Sequence, residues 1–220
     1  MEERYAIEMR GICKNFGSVA ANKNINLNVR PGEILALLGE NGSGKTTLMN
    51  MLSGIYKPDS GSILVDGQEA AINSPEDSKK LGIGMVHQHF KLVPSFTVYE
   101  NILLGSEITK KGLIDRRKEI EKVKELIEQY HFQIDPMARI QDISVGLCQQ
   151  VEILKMLYRN VDILILDEPT AVLTPQEVDQ LMENLKVLRD QGKTIIVITH
   201  KLREVMYLSD SVTVIKSGQV

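Results

Sequence analysis

The chain has 220 residues, enough for one sizeable α/β domain or for a core with a smaller appended subdomain. Its 26 lysines and arginines against 29 aspartates and glutamates give a net charge of −3, so charge does not indicate nucleic acid as a partner. Cys13 and Cys148 have neither metal-site nor disulfide spacing, so we expect reduced thiols in a cytosolic domain. No apolar run reaches the roughly 18 residues of a membrane span, so any membrane role must come through a partner.

Short β-like segments open the chain. Residues 5–9 and 25–29 alternate apolar and polar side chains, and a Ser-Gly turn at 60–61 introduces a third such segment at 63–65. These segments predict an antiparallel layer. Between them, residues 34–38 form a continuous apolar strand.

The segment that follows this strand, residues 39–47, matches GxxxxGK[ST] at every specified position, and a helix-like run continues to residue 52. Glycines let backbone N–H groups approach phosphate oxygens, and the helix directs its positive end at the same charge. We expect Lys45 to reach the β- and γ-phosphates and the hydroxyl of Thr46 to ligate Mg²⁺. The alternative is an ordinary glycine-rich turn. The predicted nucleotide-binding residues here are Gly39, Glu40, Asn41, Gly42, Ser43, Gly44, Lys45, Thr46 and Thr47.

The middle of the chain, about residues 97–160, has helical periodicity and no convincing strand. Within residues 115–131, apolar side chains recur at three- and four-residue spacing among charges. This pattern predicts an amphipathic helix that packs one stripe on the core, with a partner-binding surface as the alternative.

Two solid apolar runs, residues 163–166 and 194–199, are typical of parallel strands covered on both faces. The first run ends in two carboxylates, Asp167 and Glu168. Asp167 fits a Mg²⁺ role, and Glu168 fits the role of orienting and deprotonating an attacking water. A helix N-cap or turn is the alternative interpretation of two such acids.

Three further residues extend the predicted site. Gln88 follows the segment 84–87 and is expected to place water or complete the Mg²⁺ shell, while His200 closes the strand 194–199 and is expected to donate a hydrogen bond to the γ-phosphate. Phe16 is a candidate to stack on the base. Taken alone, Gln88 and His200 are more typical of surface or satisfied residues, and Phe16 is more typical of a core residue.

The chain's last residues, 211–220, predict a strand, a Ser-Gly turn and the first residue of a second strand. We expect a longer protein to continue this hairpin.

In this order the motifs resemble the nucleotide-binding domain of ATP-binding cassette (ABC) transporters over nearly the whole chain. The resemblance implies a P-loop NTPase with a RecA-like parallel core, an antiparallel β subdomain and a helical subdomain that holds the signature. It divides one domain, residues 1–220, into a β subdomain and core at about 1–90 and 161–220 and a helical subdomain at about 91–160. In that family the matching positions are the adenine-stacking aromatic (Phe16), Walker A (39–47), the Q-loop (Gln88), the signature (143–147), Walker B with the catalytic glutamate (163–169) and the switch histidine (His200).

Within the family, the segments 144–146, 151–155 and 167–177 look most like simple-sugar importers, especially the nucleoside-importing branch, whose members usually carry two such domains in one chain. The resemblance implies a subunit that binds ATP and Mg²⁺ at the cytoplasmic face of the membrane. It implies hydrolysis that powers uptake through permease subunits, a second cassette, and an extracellular substrate-binding protein as an indirect partner. Alternatives are a soluble ABC-type ATPase and an ATP-binding regulatory cassette with weak hydrolysis.

The chain departs from the family pattern in its signature. The family has LSGGQ, whereas residues 143–147 carry Val145 in place of the first glycine and Leu147 in place of glutamine. Ser144 and Gly146 remain, and the resemblance implies that they contact the γ-phosphate held by the partner cassette. Thr174 stands where the family's D-loop has an acid. We therefore expect a weakened signature beside intact Walker A and Walker B motifs.

Overall fold

The structure is a computed structural model that describes residues 4–88, 90–110 and 113–220. A short 3-10 turn spans Ile140–Asp142. The strands are β1 (Ile7–Phe16), β2 (Val19–Val29), β3 (Ile34–Leu38), β4 (Ser60–Val65), β5 (Gln68–Glu69), β6 (Ile83–Val86), β7 (Thr109–Lys110), β8 (Leu113–Ile114), β9 (Ile163–Asp167), β10 (Thr194–Thr199) and β11 (Ser211–Val214). The helices are α1 (Lys45–Leu52), α2 (Pro75–Lys80), α3 (Val98–Leu103), α4 (Arg116–Gln129), α5 (Val145–Tyr158), α6 (Pro175–Asp190) and α7 (Leu202–Leu208).

Two sheets form the framework. The first has four strands in the order β2-β1-β4-β5, all antiparallel. The second has five strands in the order β11-β3-β10-β9-β6, all parallel. This architecture confirms the predicted P-loop NTPase fold class, with an antiparallel layer beside a parallel core.

Both faces of the parallel sheet are covered, which explains the solid apolar strands. In β9, Leu164 and Leu166 belong to one apolar cluster, whereas Ile163 and Ile165 belong to a second. The first cluster includes α3 to α6, and the second includes α1 and the antiparallel sheet. Since successive side chains of a strand point to opposite faces, a strand between two apolar layers has no polar face to show.

Helix α4 buries the expected stripe, with Val123, Ile127 and Tyr130 in the cluster that contains α3, α5 and α6 and with Ile120 packed against it. The prediction of no strand in residues 97–160 is wrong at one place, because β7 and β8 pair there as a two-residue antiparallel hairpin. Leu113 and Ile114 of this hairpin are exposed. Strands of two residues are too short to show periodicity, so the sequence pattern gives no signal for them.

Across residues 4–88, 90–110 and 113–220, no helix combines the length and the apolar character needed to cross a membrane.

Replacing Leu154 by alanine tests the core formed by α5. Leu154 is fully buried, so Leu154→Ala should lower the free energy of unfolding by about 2–5 kcal/mol in urea titrations. The control is Leu113→Ala, at a leucine that is 76% exposed, where a change within about 0.5 kcal/mol is expected. Equal effects of the two substitutions would contradict this packing.

Candidate functional site

Strand pairing places the predicted site residues at one edge of the parallel sheet. Thr199 of β10 pairs with Leu38 of β3, and Ile198 pairs with Asp167 of β9. On the far side of β9, Leu166 pairs with Val86 of β6. The four strands therefore end together, and the residues that follow them are brought to the same edge, namely Gly39, Gln88, Glu168 and His200.

The loop from Gly39 to Gly44 turns β3 into α1. Gly44 is the N-cap of α1 with φ of 102°, and a Cβ at this position would collide with the carbonyl oxygen of Ala21 on β2. Only glycine meets both conditions. No acidic residue stands in the first turn of α1, so the backbone N–H groups and the positive end of the helix can receive an anion.

Lys45 is 4% exposed and its ammonium lies across this loop. Its Nζ donates to the carbonyl oxygens of Gly39 at 2.7 Å and Glu40 at 2.8 Å. Burial lowers the pKa of Lys45, against the carboxylates of Glu168 and Asp167, which raise it. A cation is thus held beside the loop and close to both predicted acids.

Thr46 and Asp167 meet as the magnesium prediction requires. The hydroxyl of Thr46 donates to Oδ1 of Asp167 at 3.2 Å, and Asp167 is 8% exposed. Burial raises the pKa of Asp167, while the Thr46 hydrogen bond lowers it. Among the described residues, no group of three or more His, Cys, Asp or Glu side chains could hold a metal ion. One hydroxyl and one carboxylate fit Mg²⁺, which commonly takes its other ligands from water and substrate phosphates.

Glu168 and His200 are in direct contact. His200 Nδ1 lies 3.2 Å from Glu168 Oε1, and the N–H of Glu168 donates to the carbonyl of Ile198 at 3.0 Å. Glu168 has a φ of 46°. A non-glycine residue in this left-handed region is strained, and such strain concentrates at functional sites.

Sequence reasoning missed the buried carboxylate behind this pair, Glu204 on α7. Glu204 accepts hydrogen bonds from the hydroxyls of Thr170 and Thr199, the latter at 2.8 Å. The ammonium of Lys201 lies 3.2 Å from Glu204 and donates to the carbonyl of Thr170 at 3.0 Å. This network connects Thr170, two residues after Glu168, with Thr199 and Lys201, which flank His200. No local sequence pattern marks Glu204, because its burial and its contact with Thr170 appear only in the fold.

A cavity of about 520 Å³ lies over the loop. Its lining includes Gln88, Glu168, Lys45, Thr46 and Thr47. A second cavity, of about 470 Å³, lies on the other side of the loop, and its lining includes Gly39, Glu40, Ser43 and His200. Asn41 and Gly42 line both cavities. The first cavity also has lining residues that were not predicted: Val19, Ala20, Ala21, Lys23, Ser217 and Gly218.

These additional lining residues come from β2 and from the chain's last turn. Gly218 N–H donates to the carbonyl of Ser43 at 3.0 Å, and Lys23 N–H donates to the carbonyl of Gly218 at 2.7 Å. The residues adjoin the loop only after two distant segments have folded onto it, so the local sequence carries no signal for them.

Phe16 lies at the end of β1, where it pairs with Val19 in the strand register. Val19 lines the 520 Å³ cavity, whereas Phe16 is not among its lining residues. The ring of Phe16 packs edge to face on Tyr56, with centroids 5.2 Å apart, and is 42% exposed. Phe16 is therefore next to the cavity rim, and its stacking on a base stays a prediction.

Ser144 and Gly146 line neither cavity. They begin α5, where Ser144 is the N-cap and its hydroxyl accepts from the N–H of Leu147 at 3.3 Å. Val145 is the first residue of this helix and is 43% exposed. It is not among the described residues with positive φ, so a β-branched residue fits there without backbone strain.

The model of one protein family, described as ABC transporter, matches residues 22–171. The chain belongs to the ABC transporter family. Relatives of this ABC domain include the "Nucleoside import ATP-binding protein NupA" of Lactococcus lactis subsp. cremoris (strain MG1363), which is 52% identical over 100% of this chain and 43% of its own length. The "Guanosine import ATP-binding protein NupO" of Bacillus subtilis (strain 168) is 57% identical over 98% of this chain and 42% of its own. The ABC domain thus spans less than half the length of these two relatives.

Solved structures similar to this ABC domain are themselves ABC cassettes. A nucleotide-free ATP-binding cassette from an ABC transporter is similar with a TM-score of 0.86, at 25% identity over 98% of this chain and 89% of that one. A bacterial ABC transporter cassette solved as a dimer has a TM-score of 0.80, at 27% identity over 97% of this chain and 96% of that one.

Replacing Glu204 by alanine tests the buried network. Glu204→Ala leaves two hydroxyls without their acceptor and the Lys201 ammonium without its carboxylate, and should lower the free energy of unfolding by about 1–3 kcal/mol. The matched control is Arg203→Ala, where the side chain is 88% exposed and a change within about 0.5 kcal/mol is expected. Denaturant unfolding measures both, and a Glu204→Ala protein as stable as the control would contradict the assigned contacts.

Proposed function

We propose that this chain is an ATP-binding and ATP-hydrolysing cassette at the cytoplasmic face of the membrane, and that it powers uptake of a nucleoside or a simple sugar through a permease. The observation that carries the proposal is the convergence of Lys45, Thr46, Asp167, Glu168 and His200 at one edge of the parallel sheet. These side chains supply the parts that phosphoryl transfer needs, which are a cation, magnesium ligands and a base.

Binding is assigned to the loop and the residues beside it. Backbone N–H groups of residues 39–47 surround the phosphates, the Lys45 ammonium pairs with the β- and γ-phosphates, and Phe16 stacks on the base. Thr46, Asp167 and Gln88 would hold Mg²⁺. When bound, this ion neutralises phosphate charge and polarises the transferred group.

Hydrolysis is assigned to Glu168. Its carboxylate orients a water molecule and accepts a proton from it as the water oxygen bonds to the γ-phosphorus, while the bond from that phosphorus to the β–γ bridging oxygen breaks. His200 Nδ1 lies 3.2 Å from Glu168 Oε1, and the other ring nitrogen, Nε2, donates a hydrogen bond to the γ-phosphate. The products are ADP and inorganic phosphate.

Pairing with a second cassette completes the proposed ATP-hydrolysing sites. Ser144 and Gly146 would then act on ATP held by the phosphate loop of the partner cassette. The similar cassette solved as a dimer supports such pairing. Val145 and Leu147 make this signature weak, so two identical copies of the chain would turn ATP over poorly despite binding it well.

Coupling to the membrane is assigned to Gln88 and the loop at residues 90–94, which are proposed to contact a cytoplasmic helix of the permease. The backbone N–H of Lys91 in this loop donates to Glu152 of α5 at 2.7 Å, which links the loop to the signature helix. An extracellular substrate-binding protein would act only indirectly, through the permease. The names of the nucleoside and guanosine import relatives support a nucleoside as the cargo.

Replacing Glu168 by glutamine tests hydrolysis. Glu168→Gln keeps the shape of the side chain but cannot take the proton, so kcat for ATP should fall by about 100- to 10,000-fold. ATP affinity should change little, because binding is assigned to the loop. Steady-state phosphate release and titration with a fluorescent ATP analogue measure the two quantities. Vigorous hydrolysis by the isolated 220-residue chain, abolished by Glu168→Gln, would contradict the proposal that Val145 and Leu147 limit turnover.

Replacing Gln88 by alanine tests coupling. Tagged protein is first recovered from gently solubilised membranes, and a polytopic membrane protein is expected to co-purify. In vesicles that contain this complex, Gln88→Ala should lower nucleoside uptake while ATP binding persists. Unchanged uptake would contradict the assigned coupling, and recovery of ribosomes, DNA or no partner would favour the soluble ATPase or the regulatory cassette.

A further inference from the structure

The side chain of Glu177 connects two helices that sequence reasoning treated separately. One of its oxygens, Oε2, accepts from the N–H and the hydroxyl of Thr174, both at 3.0 Å, at the start of α6. The other, Oε1, accepts from the N–H of Gly146 at 3.1 Å, at the start of α5. One carboxylate therefore satisfies N-terminal donors of two helices.

Gly146 allows this contact by having no side chain. A Cβ on Gly146 would lie 2.7 Å from both the carboxyl carbon and Oε1 of Glu177. Gly146 is absent from the described glycines with positive φ, so a special backbone angle does not explain a glycine here. The close approach of the Glu177 carboxylate explains the glycine, because a side chain at residue 146 would collide with it.

Electrostatics favour the ionised carboxylate at this place. The first turn of α5 contains no acidic residue of its own, and an anion at a helix N-terminus is stabilised by the helix dipole. Hydrogen bonds from the Thr174 backbone, from the side chains of Ser144 and Thr174 and from the Gly146 backbone lower the pKa of Glu177 to about 2. Glu177 is therefore ionised at neutral pH.

The contact also lies at the end of a hydrogen-bonded turn that begins at the proposed base. Ala171 N–H donates to the carbonyl of Glu168 at 3.2 Å, and Leu173 N–H donates to the carbonyl of Thr170 at 3.4 Å. Thr174 then ends this turn and begins α6. Segment 168–174 therefore leads directly from Glu168 to Glu177, and Glu177 leads to Gly146.

The geometry points to Glu177 as a positioning residue that holds the Ser144–Gly146 end of α5 in a fixed place relative to segment 168–174 of the same chain. The inference rests on the proposed function, in which this end of α5 acts on ATP bound by the partner cassette. Glu177 touches no nucleotide in that arrangement. It sets the position of donors whose target lies across the interface, where an error of about 1 Å can cost up to about 100-fold in rate.

A second capping box in the same chain supplies a matched control. Glu100 occupies the equivalent third position of α3, and its Oε2 accepts from the N–H and the hydroxyl of Thr97, both at 2.8 Å. The other oxygen of Glu100 accepts from the hydroxyl of Tyr99 on the same helix. Glu100→Ala therefore removes a helix cap of the same kind, without a link to α5.

The test compares Glu177→Ala with Glu100→Ala in the assembled transporter. We expect Glu177→Ala to lower kcat for ATP by about 10- to 100-fold with less than a twofold change in the affinity of the chain's own loop for a fluorescent ATP analogue. Glu100→Ala should leave kcat within about twofold while lowering the melting temperature similarly. Glu177→Gln, which keeps an acceptor for the Gly146 N–H, should retain more activity than Glu177→Ala. Equal kcat values for the two alanine variants would overturn the inference.

Hydrogen exchange gives a readout that does not need turnover. Exchange at the Gly146 amide should accelerate in Glu177→Ala and in Glu177→Gln less so, and should not change in Glu100→Ala. Unchanged exchange at the Gly146 amide in Glu177→Ala would overturn the inference. If Glu177→Ala fails to fold, unchanged exchange in Glu177→Gln would overturn it. If the variants show the expected exchange pattern but the wild-type assembly does not hydrolyse ATP, the result would contradict the proposed function and not this inference.

Discussion

The pairing of β10 with its two neighbours controls the geometry of the candidate site. Because β10 hydrogen-bonds in parallel to β3 on one side and to β9 on the other, the loop after β3, the acids after β9 and the histidine after β10 share one edge. A shift of one residue in either pairing would exchange the side chains that the shifted strand gives to the two apolar clusters and would move a site residue by about 3.3 Å. The two apolar clusters that cover the sheet oppose such a shift, so packing far from the site maintains distances within it.

Charged groups in the site keep their positions because each has protein partners. Lys45 is hydrogen-bonded to carbonyl groups of the loop, Asp167 to the hydroxyl of Thr46, and Glu168 contacts His200. Behind them, Glu204 receives two threonine hydroxyls and a lysine. Burying a charge costs free energy unless such partners are present. These partners hold the charged groups in place, and fixed charges are what stabilisation of a developing charge requires.

Sequence reasoning located the strands and the chemical residues where the signal is local. The run at residues 34–38 and the GxxxxGK[ST] pattern after it are contiguous, so spacing alone identified β3, the loop and α1. Glu177 and Glu204 were missed as site residues because their contacts with Gly146 and Thr170 join residues that are distant in the chain. The β7 and β8 strands were missed because they are too short to show periodicity. The departures from the family signature at Val145 and Leu147 were visible in the sequence, but the fold was needed to show that Val145 begins α5 without a positive φ.

The alternation of side chains along β9 and β10 has a consequence for how the molecule can be divided. Leu164 and Leu166 serve one apolar cluster, and Ile163 and Ile165 serve the other. Neither cluster can be excised as an independent piece, since any cut that separates them removes one side of the same strands. The helix that Ser144 caps and the antiparallel layer that contains Phe16 therefore depend on the same strands. Recombination between related cassettes would succeed at loops on the sheet's edges and fail within these two strands.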